Sequence, residues 1–324
     1  MLQAVQKTDS QSIPKRAAPR PFDGAEDEVL YLIGRPPMGE DLGFLNSQAI
    51  DPPDIRELAD DWRAANDVVN DLQTREAGFA DNPTLGELSG DVLEARDRLL
   101  SDEGFRRSME VVPIDVKMVE LDRLVVPQKH INLNNVRHIQ KELGSFPGPR
   151  QIFDICMPLE HPRDSVRCLR ASADSFVFAS PSHDLRFLDV FLLDPSQIES
   201  EQTRGVVASV IGLMVGYSCN CLTAMHVQNR LVLINGTHRA LALREMGLTH
   251  APCVIQTVRR AEELALIGPR ELTRNTSEFL GIPRPIVLKD FLDPRLHRKV
   301  RVSRRMRQVK VSFSVDNMDA PVVE

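Results

Sequence analysis

Apolar residues recur along this chain with two different periods, and the change of period divides it. From Ile55 the apolar positions are Ile55, Leu58, Trp62, Ala65, Val69 and Leu72. That spacing puts one stripe on one face of a helix. Asp51-Pro52-Pro53-Asp54 supplies its start, an acidic cap with prolines before the first turn, and Gly78 marks its end. After the loop Asp81-Asn82-Pro83-Thr84, a second helix is predicted over about 85–100, with Leu88, Val92, Leu99 and Leu100 inward, and a short third over 103–109. Before them lies a short apolar run, EVLYLI, from Glu28 to Ile33, cut off by the Gly- and Pro-rich GRPPMGEDLG. Residues 1–27 are polar, with scattered Lys, Arg and Pro, and read as a disordered tail. Residues 28–110 read as a small helical region. Trp62 fits helix packing better than a binding anchor.

Pro113 marks the change of style. Val116 to Val126 (VKMVELDRLVV) has strand composition, and Ile131, Val136, Ile139 and Leu143 return to helical spacing. Residues 147–215 mix short apolar runs such as IFDICMPL, SFVFASP and LRFLDVFLL. From Leu231 the order is strand, turn, helix, turn, strand, the last over 251–258, followed by a helix near 261–266. A Pro-rich loop leads to KVRVSRRMRQVKVSFSV, Lys299 to Val315, much of which alternates like a strand. The expected class is α+β.

Composition narrows the field. Aromatics make up only 5% of the chain, so the core must rest on Leu, Val, Ile and Ala. No apolar run reaches the roughly 18 residues of a membrane span. The nearest, GVVASVIGLMVG over Gly205 to Gly216, reads as a buried element. No membrane partner is expected, and the polar start, without the apolar core of a secretion signal, predicts a cytoplasmic protein. The five cysteines contain no C-x-x-C pair. Cys219 and Cys221 flank Asn220; on a strand they share a face and could bind metal or be oxidised, although two reduced thiols is the simpler reading. Residues 1–110 hold 12 Lys+Arg and 23 Asp+Glu, a net of −11, and the remainder holds 28 and 23, a net of +5. Two such regions either have different partners or cover one another.

The sharpest chemical signal is LVLINGTHRALALREMG, Leu231 to Gly247. Asn235-Gly236-Thr237-His238-Arg239 sits where a strand becomes a helix. A helix start carries unpartnered N–H groups and partial positive charge, which makes it an anion site. Gly236 permits a tight turn and close approach of a ligand. Thr237 can cap or donate, His238 can donate, and Arg239 has a planar fork that matches phosphate. Asn-Gly is also a common hairpin turn, and Thr before a helix is common capping.

Gly-x-His-Arg between an apolar strand and an Ala/Leu helix resembles the box of the ParB/sulfiredoxin superfamily. The connection Gly247-Leu248-Thr249-His250-Ala251-Pro252 into the next strand, and Val119 to Leu143 as an opening strand, polar loop and helix, are similar as well. The resemblance covers 116–143 and 216–258. It implies a ParB/sulfiredoxin-like α/β domain over 111–265, with an insertion at about 147–215, a helical region before it and a basic extension after it. It also implies a site for the phosphates of a nucleoside triphosphate, with Mg²⁺, at the start of the helix. Family members use such sites for nucleotide hydrolysis in DNA segregation, repair of oxidised cysteine, phosphotransfer or nuclease chemistry, so the fold leaves the function open. Thr237 stands where sulfiredoxins carry their catalytic Cys. Asn235 stands where the box often has Asp. No helix-turn-helix reader follows residue 258.

Further candidates surround the box. Lys129, in Pro127-Gln128-Lys129-His130, lies where the family's polar loop faces the nucleotide. Ser218 and Asn220, in the loop before the feeding strand, are placed to read the ligand. Ser180 to Arg186 packs polar groups together, with His183 and Asp184 as an acid/base pair and Arg186 as an anion clamp. Glu120 and Asp122 are candidates for Mg²⁺ or general base, and Lys289, Asp290 and Asp293 lie in a Pro-bounded loop. Arg295 to Lys310 holds eight Lys or Arg and no acid, so it could bind DNA phosphates or meet the acidic helices of its own chain. Three functions remain: a nucleotide-dependent hydrolase or phosphotransferase, a non-catalytic nucleotide- or DNA-associated regulator, and a structural reuse of the fold that docks a protein partner through the helical region.

Overall fold

The structure, a computed structural model, describes residues 26–109, 111–158, 165–182, 185–194, 207–217 and 219–319. It is mixed α+β, with helices packed around several sheets. The central sheet has five strands. They are β2 (Leu85–Gly86), β3 (Ile114–Glu120), β9 (Thr223–Val227), β10 (Arg230–Asn235) and β11 (His250–Val258), in the order β10-β9-β11-β3-β2. β9 and β10 form a tight antiparallel hairpin, with Gln228 in the left-handed region at φ 55°. α7 (Thr237–Glu245) then carries the chain across to β11, which runs parallel to β9. Ala240, Leu241, Ala242 and Leu243 of α7 are all fully buried. Successive positions cover every side of a helix, so α7 is a core helix rather than an amphipathic one. It packs against α5 (Leu133–Leu143), whose start is capped by the Asn132 side chain accepting from the Asn134 and Asn135 amides.

The predicted first helix is α2 (Ile55–Arg75), started by Asp54, whose side chain accepts from the Arg56 amide at 2.7 Å. Leu58, Trp62, Ala65, Val69 and Leu72 are buried as the stripe predicts; Ile55 is exposed. The second predicted helix is shorter. Leu85 and Gly86 instead add β2 to the edge of the central sheet against Val119 and Met118, and α3 runs over Val92–Ser101, followed by α4 (Glu103–Met109).

The helical region does not stand apart. β1 (Glu26–Leu32) is the middle strand of a second sheet, antiparallel to β12 (His297–Ser303) on one side and β4 (His130–Asn132) on the other. Residues 26 and 27, expected in a disordered tail, begin this strand; residues 1–25 lie outside the described residues. α1 (Met38–Gln48) closes over β1 and brings Asp41 into the interior. Asp41 is fully buried and accepts from Tyr31 Oη at 3.1 Å, Trp62 Nε1 at 2.9 Å and Lys129 Nζ at 3.0 Å. Burial, reinforced by the Asp41 carboxylate, pushes the Tyr31 phenol far above its usual range.

The inserted region begins with α6 (Pro149–Cys156), which packs on β11. β5 (Arg167–Ser172) and β6 (Ser175–Ser180) follow and form a three-stranded sheet with β13 (Arg307–Ser312). The single alternating strand read over 299–315 is therefore two strands, β12 and β13, in two different sheets. β7 (Leu185–Leu193) and β8 (Val210–Tyr217) form a two-stranded sheet of their own. The apolar run over 205–216, expected to be buried, supplies β8, and Ile211, Leu213 and Met214 are exposed there, as are Phe187, Val190 and Leu192 on β7. Among the described residues no further strand pairs with either edge of this sheet, and Leu185, where β7 begins, is its one fully buried side chain. Among the described residues no helix is long and apolar enough to cross a membrane.

The basic stretch meets the acidic region of its own chain. Arg298 pairs with Glu57 and Asp61, Arg301 with Glu26 and Asp51, and Arg304 with Asp27. The segment between α9 (Arg270–Arg274) and β12 is fixed by Arg284, which is 1% exposed. Its guanidinium donates to both oxygens of Asp290 at 2.6 and 3.0 Å, to the Pro285 carbonyl and to Glu76 of the turn after α2. Lys289 also pairs with Glu76, and Asp293 with Arg295, so the three candidates of the Pro-bounded loop are all engaged in ion pairs.

Two outcomes follow for stability. Asp290→Ala leaves the Arg284 charge buried without its main partner, and is expected to cost about 3–5 kcal/mol in chemical denaturation. His297 is held below its ordinary value, first by burial and then by Lys299. Its folded form favours the neutral ring, so the unfolded chain binds the proton more readily. That contribution is present above about pH 6.5 and is lost as the pH falls below it. His297→Gln should flatten the loss of melting temperature on that acid side.

Candidate functional site

The strand-to-helix turn forms as its residues dictate. β10 is continuously apolar over Leu231-Val232-Leu233, then slips register before Asn235, which pairs with Thr223. Gly236 turns the chain at φ 93°, ψ 21°, a region that disfavours any side chain. A Cβ at this position would also lie 2.5 Å from Leu222 Cδ1 and 3.1 Å from Leu222 Cα. With glycine as its cap, α7 has no cap side chain to accept from its first amides. The turn is half-buried at Asn235, Gly236 and His238.

Each residue of the box has a defined place. Asn235 Nδ2 donates to Asn220 Oδ1 at 3.2 Å, so these two amides sit side by side at the mouth of the helix. Thr237 is the first helical residue and is 7% exposed. His238 Nε2 accepts from the Asn132 amide at 3.2 Å, a role open only to a ring nitrogen without its proton. That bond ties α7 to β4 and to the start of α5.

Arg239 differs from the expectation of a free phosphate fork. It is 7% exposed and lies beneath the turn. Nη1 donates to the carbonyls of Ile155 and Cys156 at 3.3 Å each and to the Asn220 carbonyl, and Nη2 donates to Asn220 Oδ1 at 2.6 Å. Its planar fork collects carbonyls from the end of α6 and from the loop before β9. What remains for the turn is its charge and the loop geometry it enforces.

Lys129 is directed elsewhere. It spends its ammonium on the buried Asp41 beneath α1 and is not an assistant at the box. Glu120 and Asp122 are also misplaced for the role given to them. Asp122 pairs with Arg244, in the last turn of α7, and Glu120 faces Arg123 at 3.7 Å. A nine-residue helix is about 13 Å long, and both acids accompany its far end. His183, Asp184 and Ser218 lie outside the described residues; Arg186 lies on β7. Of the expected group, the structure brings together Asn220, Asn235, Gly236, Thr237, His238 and Arg239.

Sequence reading missed the Ile155 and Cys156 carbonyls as acceptors from Arg239, and Asn132 as the partner of His238. A backbone carbonyl leaves no trace in residue type. Asp102, between α3 and α4, is also near enough to act electrostatically on Cys219 beside the turn. No group of three or more His, Cys, Asp or Glu side chains among the described residues is placed to hold a metal ion. Two cavities open away from the turn. One is lined by Arg75, Glu76, Lys289 and Arg295, and the other by Val136, Gln140, Glu245 and His297.

No protein-family model matches the chain, and comparisons with curated proteins and with solved structures find no match.

Gly236→Ala tests whether the turn is as constrained as its geometry indicates. Left-handed backbone and the contact with Leu222 together should cost at least about 2 kcal/mol, read as a lowered denaturation midpoint. An unchanged midpoint would mean that the backbone at Gly236 is elsewhere.

Proposed function

We propose that the chain binds the phosphates of a nucleotide at the start of α7. The observation that carries this reading is a helix start whose cap is a left-handed glycine rather than a side chain, with the Asn220 and Asn235 carboxamides beside it and an arginine charge beneath it. The first amides of α7 and the partial positive charge of the helix face the same opening. The amide groups of Asn220 and Asn235 add donors and acceptors. Arg239 contributes through the field, because a buried guanidinium is screened less than one in water. The Gly-x-His-Arg resemblance to ParB/sulfiredoxin domains points to the same ligand class.

Mg²⁺ fits as a companion of the phosphates rather than of the protein. It keeps its waters readily and binds through phosphate oxygens with few carboxylates. Turnover is not part of the proposal, since Glu120 and Asp122 stand at the other end of α7. A DNA-associated role draws no support from the basic stretch, whose Arg298, Arg301 and Arg304 face acids of the same chain.

Calorimetric titration with ATP, CTP, GTP and UTP, each with Mg²⁺, and with pyrophosphate, tests the reading. The informative variant is Asn220→Asp. Its carboxylate can still accept from Arg239 and Asn235, but it neutralises the charge under the turn. Affinity should fall about tenfold or more, equivalent to about 1.4 kcal/mol, with an unchanged melting temperature. Absence of binding at millimolar ligand, or equal binding by the variant, would remove the phosphate from this turn.

A further inference from the structure

The loop that Arg239 holds also carries two cysteines. Cys219 and Cys221 lie on irregular backbone between β8 and β9, with their Sγ atoms 3.2 Å apart. Their setting separates them from the other thiols. Cys156 and Cys253 are fully buried, and burial pushes the Cys156 thiol up to about 12 and the Cys253 thiol higher still. Both therefore stay protonated and inert. Cys168 is exposed on β5. Cys219 is half-buried and reachable, whereas Cys221 sits behind it in the core.

Contact between the two thiols makes them unequal. The Cys221 thiol, directed at Cys219, holds Cys219 below the usual thiol range, and Arg239 acts in the same direction, against burial and Asp102. Cys221 is pushed far upward, first by Cys219 and then by burial. Cys219, the more exposed sulfur, is placed to attack, and Cys221, 3.2 Å behind it, to follow. The guanidinium of Arg239 grips the carbonyl and side chain of Asn220, the residue between them, and so holds both cysteines at the edge of a positive site.

We propose that Cys219 and Cys221 are a reversible dithiol–disulfide pair that exchanges with low-molecular-weight disulfides such as oxidised glutathione. The Cys219 thiolate attacks one sulfur of the disulfide. A Cys219–glutathione bond forms and one glutathione thiolate leaves, taking up the proton lost by Cys219. The Cys221 thiol then gives up its proton, and its sulfur attacks Cys219 Sγ. The Cys219–Cys221 bond forms and the second glutathione leaves as a thiol. Two protein thiols are oxidised and one small disulfide is reduced to two thiols. A disulfide needs its sulfurs about 2.05 Å apart, so closure calls for an approach of about 1 Å. This pairing stands whether or not a phosphate binds at α7.

The test uses the full chain in buffers of graded oxidised to reduced glutathione, quenched by alkylation and read by peptide mass spectrometry. The expected result is loss of two hydrogens on the peptide that holds residues 219–221, restored by dithiothreitol. Cys221→Ala should instead accumulate a glutathione adduct on Cys219 that no second thiol resolves. Cys219→Ser should leave Cys221 unmodified. Cys168 serves as the internal control, because its modification in the same wild-type sample proves that the oxidant acts. A wild-type chain modified at Cys168 but still a dithiol at 219 and 221, or carrying a stable adduct on Cys219 with no internal bond, overturns the proposal.

Discussion

The ion pair between Arg284 and Asp290 is the constraint from which the rest of the arrangement follows. Removing an arginine and an aspartate from water is costly, and the two are 1% and 3% exposed. Such a pair persists only where every remaining donor and acceptor is met. Asp290 also accepts from the Val287 amide and from Arg35, and Arg284 reaches Glu76 and the Pro285 carbonyl. The node therefore fastens α2, the chain after β1 and the segment before β12 to one point. Phe79 sits over it, with Arg284, Lys289 and Arg123 within 6 Å of its ring. With β1 located in this way, β4 is located by pairing, and His238 is then located by its bond to Asn132.

Buried arginines recur as collectors of stray carbonyls. Arg230, 4% exposed, takes those of Phe279 and Ile282 and the side chain of Asp81. Arg239 takes those of Ile155, Cys156 and Asn220. Irregular segments inside a protein leave carbonyls without a ladder, and each must find a donor. Five donors on one rigid plane meet that need better than water can in a dry interior. At α7 the same solution leaves a positive charge under a helix start.

Local periodicity made part of the fold legible. The stripe from Leu58 to Leu72 and the strand–turn–helix around Gly236 depend on neighbours in sequence, and both stand where their spacing puts them. β1 did not announce itself as the middle of a sheet, because its partner β12 is about 270 residues away. Lys129 and Arg239 were recognisable as cations beside a polar loop and a helix start. Their directions were set by Asp41 and by three carbonyls, all remote in sequence. Residue type states what a group can do; only the packed chain states what it faces. Glu120 shows the converse, since it lies near the polar loop in sequence but faces Arg123, while Asp122 beside it pairs with Arg244 in the last turn of α7.

The pairing of β1 with β12 has a consequence for how the chain is made. During synthesis, residues 26–32 leave the ribosome long before residues 297–303 exist. Through that interval β1 offers an apolar, unpaired edge to β4 on one side and to any stray strand on the other. The acidic residues beside it, Glu26, Asp27 and Glu28, keep that edge charged while it waits. When Arg301 of β12 and Arg304 just after it arrive, Glu26 and Asp27 become their docking partners. The segregation of acid early in the chain and base late in it thus leaves both signs unmatched until the two ends of the chain meet.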